Sequence, residues 1–142
     1  MQCERRNGIS DKMLMAAVTL LRKQAPGLVG AWLFGSAVEG RMRPDSDADI
    51  AILTEAPLDA WRRLELAADL TRLFGREVDL VDLRQSSTVM RMQAVVHGRR
   101  IFCSDETRCE AFEDFVFSDY ARLNEERAGI LAVVLARESV HE

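Results

Sequence analysis

Two short, nearly unbroken apolar runs constrain the fold of this chain more than any other feature. Leu28–Phe34, flanked by glycines, and Ile50-Ala51-Ile52-Leu53 are too short for helices and too apolar for surface segments. Runs of this length bounded by turn residues read as strands covered on both faces. Stretches of helical period surround them. From Ser10, a fitting N-cap, Leu14, Val18 and Leu21 recur at helical spacing until Pro26 and Gly27 stop the pattern. Pro57 opens residues 58–74, where Trp61, Leu64, Leu66, Leu70 and Leu73 form an apolar stripe and Gly75 a C-terminal stop.

The second strand covers residues 47–53, and residues 77–83, with Val78, Leu80 and Val81, form a third. Ser86 or Ser87 then caps a helix that reaches His97 and stops at Gly98, and Arg99–Cys103 make a fourth short strand. In residues 105–140, Phe112, Phe115, Val116, Tyr120, Leu123, Ile130, Leu131 and Val134 repeat at helical spacing, as one long helix or as two broken near Gly129. Phe112, Phe115, Phe117 and Tyr120 are expected to pack on the sheet. Phe117 and Val140 fall outside the tidy stripe, and a second apolar face there suits a partner protein or a second copy.

This order predicts an α/β (α+β) domain with helices packed on a mixed sheet of about four strands, followed by a long C-terminal helical segment. A chain of 142 residues suits one domain. Its core falls at residues 28–83 and its C-terminal helical part at residues 105–140.

A net charge of −4 lacks the basic field that long nucleic acid selects. No apolar run is long enough to span a membrane, and residues 1–7 are polar rather than a signal-peptide core. Cys3, Cys103 and Cys109 lack metal-type spacing and read as free thiols of a cytoplasmic protein. His97, at a helix end, and His141, in the tail, have surroundings of neither a metal ligand nor a base.

Chemistry concentrates between Gly35 and Asp49. Asp47 and Asp49 are two apart on a strand, so their side chains leave one face with Cα atoms roughly 6 to 7 Å apart. Paired carboxylates repel unless a cation neutralises them, and hard oxygen ligands suit Mg²⁺. Asp79 is the best candidate for a third acid, on a mostly apolar strand where a lone carboxylate needs a reason. Glu77, on the same face, and Asp82, on the other, are its rivals. Two ions held by such a set would align an attacking oxygen and a leaving pyrophosphate. Upstream, Gly35 and Ser36 follow a strand directly, where backbone N–H and hydroxyl donors can meet a phosphate. Arg41 and Arg43 lie in the same loop and suit phosphate oxygens, though loop arginines are more often simply solvated.

Gly35-Ser36, ten residues, then Asp47-Ala48-Asp49 resembles the signature of the DNA polymerase beta-like nucleotidyltransferase superfamily. The short chain is similar to its minimal branch, the MNT domains. Gly40, Pro44, Asp45 and Ser46 also sit as in that branch's loop, and Val78-Asp79-Leu80-Val81 resembles its strand with the third acid. Where many relatives carry arginine before the loop glycine, this chain has Glu39.

The resemblance implies ATP as substrate, with Gly35, Ser36 and Ser46 at the nucleotide phosphates and Mg²⁺ on Asp47, Asp49 and Asp79. It further implies AMP transfer to a tyrosine of a cognate HEPN ribonuclease toxin, with the chain as antitoxin. A small molecule such as an aminoglycoside is an alternative acceptor. Neutralisation of the toxin by contact alone is an alternative mechanism, and Glu39 is the residue that favours it.

Overall fold

The computed structural model describes residues 9–35 and 47–140, the last two of these by backbone only. Helix α1 (Asp11–Gln24) starts at Ser10, whose side chain accepts a hydrogen bond from the Met13 N–H. Strands β1 (Leu28–Phe34) and β2 (Ala48–Thr54) follow, then α2 (Ala60–Phe74). Gly75 closes α2 in the left-handed conformation, φ 68°, a backbone geometry suited to glycine. Strand β3 (Val78–Asp82) leads through a 3₁₀ turn (Leu83–Gln85) into α3 (Thr88–Val95), capped by Ser87. Strand β4 (Arg99–Cys103) and the long helix α4 (Glu106–Val140) complete the order.

The strands form one sheet in the order β3-β2-β1-β4. Strand β1 is antiparallel to both β2 and β4, while β2 and β3 are parallel and joined by the α2 crossover. The sheet is therefore mixed and the fold α+β.

Both faces of the sheet are covered. Helices α1 and α2 lay Leu14, Leu21, Leu66 and Leu70 over Ala31, Leu33, Ile50 and Ile52. Helix α3 and the first half of α4 lay Met92, Val95, Cys109 and Val116 over Trp32, Phe34, Ala51 and Leu53. Double coverage is why β1 and β2 are nearly continuous in apolar residues instead of alternating with polar ones.

Three expectations are corrected. Trp61 and Leu64 are 69% and 59% exposed, outside the packed stripe. The row Leu66, Leu70, Phe74 sets the inward direction of α2, and at about 100° per residue Trp61 and Leu64 face the far side. Phe115 and Phe117, 54% and 57% exposed, do not pack on the sheet. The inward row of α4 is instead Cys109, Phe112, Val116 and Tyr120, and the other two phenylalanines diverge from it by ~80° or more. Helix α2 begins at Ala60 rather than just after Pro57, with the Leu58 N–H held by the Asp82 carboxylate at 2.9 Å.

Helix α4 runs through Gly129 without a break. Beyond Leu123, every residue up to 138 is exposed. Among the described residues no helix is long and apolar enough to cross a membrane.

Candidate active site

The acids gather at one end of the sheet, on the face that α3 and α4 cover. Strand β2 enters the sheet beside the exit of β1, so that Phe34 pairs with Asp49. On the other side of β2, the parallel register sets Asp49 directly beside Asp79. Residues 49, 51 and 53 share one side of β2 by alternation. Ala51 and Leu53 are buried on that side, whereas Asp49 at the strand end is half-buried. Asp47 precedes β2 instead of lying within it, and is exposed, as is Asp79.

Gly35 stands against this cluster with φ 76°. A Cβ built there would lie 2.3 Å from Asp49 Oδ2. The close approach and the backbone conformation both require glycine. Gly98 makes a second tight contact nearby, since a Cβ there would meet the Ala94 and Leu33 carbonyl oxygens at 2.2 and 2.8 Å. That contact seats the end of α3 on the last residues of β1, and sequence reasoning found only a helix stop there.

Burial raises the Asp49 carboxyl most, and the neighbouring charges of Asp79 and then Asp47 raise it further, to about 6. Its charged form is thus penalised first by lost solvent and then by like charges that nothing among the described residues offsets. Among the described residues no three His, Cys, Asp or Glu side chains close around a point where a cation would sit. The aspartates are thus close enough to repel one another but are not drawn together into a coordination shell.

The rivals of Asp79 are placed differently from it. Asp82 is buried and accepts hydrogen bonds from the Leu58 and Arg84 N–H groups, at 2.9 and 3.0 Å, so it ties the end of β3 to its neighbours. Glu77 lies before β3 and is exposed. The position of Asp82 among Val78 and Leu80 on the inward side of β3 was the available sign of its structural role. Ser36, Arg41, Arg43 and Ser46, with Glu39 and Gly40, lie outside the described residues.

Residues 18–107 match the family model for polymerase beta nucleotidyltransferases. The chain belongs to that family. The protein adenylyltransferase MntA of Shewanella oneidensis is 39% identical over 119 residues, which cover 84% of this chain and 85% of the relative. A crystal structure of a toxin-antitoxin with AMP-PNP matches with a TM-score of 0.77 and 37% identity, over 86% of this chain and 98% of that one. The MNT antitoxin complexed with tri-AMPylated Shewanella oneidensis HEPN toxin matches with a TM-score of 0.73 and 35% identity, over 87% and 97%.

Proposed function

We propose that this nucleotidyltransferase moves AMP from ATP to a tyrosine hydroxyl of a cognate HEPN ribonuclease toxin and so acts as its antitoxin. The observation that carries the reading is the register that sets Asp49 beside Asp79, with Gly35 pressed against the Asp49 carboxylate. Similarity to an MntA protein adenylyltransferase and to an antitoxin bound to an AMPylated HEPN toxin supports the choice of acceptor.

Asp47, Asp49 and Asp79 would hold Mg²⁺. The donor set fits, since all three are hard carboxylates and the raised Asp49 acid reports negative charge in need of a counterion. Bound there, Mg²⁺ would supply charge neutralisation for the acids and for the triphosphate.

The remaining work belongs to the chain. Gly35, lacking a Cβ, lets the Asp49 carboxylate lie against the end of β1, where the backbone turns into the loop that would meet the phosphates. Ser36, Ser46, Arg41 and Arg43, which follow in the sequence, would serve as further donors to the triphosphate. The tyrosine oxygen attacks the α-phosphorus, a new P–O bond forms as the bond to the β-phosphate oxygen breaks, and pyrophosphate leaves. The acid nearest the acceptor hydroxyl takes its proton.

The test is incubation of the full chain with α-labelled ATP, Mg²⁺ and the purified toxin. Label on a toxin tyrosine is the expected result, abolished in Asp47→Asn and Asp49→Asn and in the presence of EDTA. Transfer that persists in both variants, or label found only on a small-molecule acceptor, would overturn the reading.

A further inference from the structure

The distal half of α4 carries a seam that no other described residue covers. Ile130, Val133 and Val134 are 66%, 53% and 44% exposed. Isolated apolar residues on a surface are ordinary, but a contiguous row on a projecting helix is an interaction surface. The row has a distinct order. Glu126, Ile130, Val133 and Arg137 follow one another at intervals of four, three and four residues, the spacing of a helix–helix seam.

That order reads the same in reverse, except that an acid stands at one end and a base at the other. The midpoint lies between Leu131 and Ala132. A second helix laid antiparallel about that midpoint brings its Arg137 level with Glu126 and its Glu126 level with Arg137. Between the two ion pairs, Ile130 comes level with Val133 of the other copy and Gly129 with Val134. We propose that this seam is the interface of a two-fold symmetric dimer of the chain, formed by antiparallel pairing of α4 over residues 126–137.

Two further observations favour a second copy over other occupants. Gly129 sits mid-helix, where glycine costs about 1 kcal/mol relative to alanine, yet a Cβ there would meet nothing within 4 Å in the chain itself. Its small size therefore relieves no contact among the described residues and suits close approach from outside. The charges also remain available for a partner. Glu126 has only a long contact of 3.5 Å with Arg122, whose other nitrogen binds Asp119 at 2.6 Å. Arg137 makes no ion pair among the described residues. Its charge and that of Glu126 are self-complementary when two copies pair antiparallel about a two-fold axis, which closes both ion pairs at once.

Sedimentation velocity of the full chain alone, across a wide concentration range, reads the association directly. The contact spans only about 18 Å of helix, so a concentration-dependent monomer–dimer equilibrium is expected rather than a permanent dimer. Glu126→Arg and Arg137→Glu each place like charges opposite one another at both ends and should weaken the dimer by at least ~10-fold. The double variant E126R/R137E restores opposite charges and should restore association, which no unrelated partner surface would do. Ile130→Asp should abolish it, with circular dichroism confirming an intact helix. A chain that stays monomeric at every concentration, or a double variant that fails to recover, overturns the proposal. A monomeric chain whose Ile130→Asp variant loses affinity for the toxin would assign the seam to the toxin instead.

Discussion

Asp49→Asn should leave the protein more stable and inactive at once, because the carboxylate proposed for the chemistry also carries an electrostatic cost. In the folded chain burial and then Asp79 and Asp47 hold the Asp49 acid up at about 6. An unfolded aspartate titrates near 3.9, and for a fully enclosed group that difference would amount to about 3 kcal/mol. Asp49 is only half-buried, and solvent screening reduces the figure to about 1 to 1.5 kcal/mol.

The sign follows from proton counting. Between about pH 4 and pH 6 the folded state binds more protons than the unfolded one, so stability falls as pH rises through that window. The cost is complete above it and absent below. Asparagine keeps the shape and removes the charge. In Mg²⁺-free buffer at pH 7 the variant should melt about 3 to 5 °C above the wild type, and the gap should close by pH 4. Added Mg²⁺ should stabilise the wild type and reduce the gap, since binding to the folded state alone raises stability. Thermal unfolding followed by circular dichroism at pH 4, 5, 6 and 7, with and without Mg²⁺, decides the matter. A variant that is less stable than wild type, or a gap that does not change with pH, would refute the electrostatic account of the site.

Gly35→Ala forces a Cβ into the space of Asp49 Oδ2 at φ 76°; it should cost about 1 to 2 kcal/mol of stability and, by displacing Asp49, lower toxin labelling about 100-fold. Wild-type labelling rates in that variant would remove Gly35 from the site. Asp82→Ala leaves the Leu58 and Arg84 N–H groups without their acceptor and should cost about 2 to 4 kcal/mol in urea unfolding. ATP affinity should be unchanged at a temperature where the variant is folded, and a selective loss of ATP binding would return Asp82 to the catalytic set.

The two inner strands were readable from residues alone because burial on both faces leaves an unmistakable mark. Leu28–Phe34 and Arg99–Cys103 have the predicted bounds, and Ser10 and Ser87 cap the helices that local chemistry assigns to them. Helix faces were less legible. Trp61, Leu64, Phe115 and Phe117 are apolar and helically spaced, but which side of a helix turns inward depends on the row that meets the sheet, and no local signal names it.

The sequence by itself determined which chemistry is available: a glycine after one strand, a pair of aspartates at the entrance of the next, and an isolated acid on a third. Those are properties of residue type and short-range spacing. Only tertiary structure decided which acids share a field. Parallel pairing of β2 with β3 sets Asp49 against Asp79, while alternation along β3 turns Asp82 away into the core. Thirty residues separate Asp49 from Asp79, and strand register, fixed by packing on both faces of the sheet, is what brings their charges together.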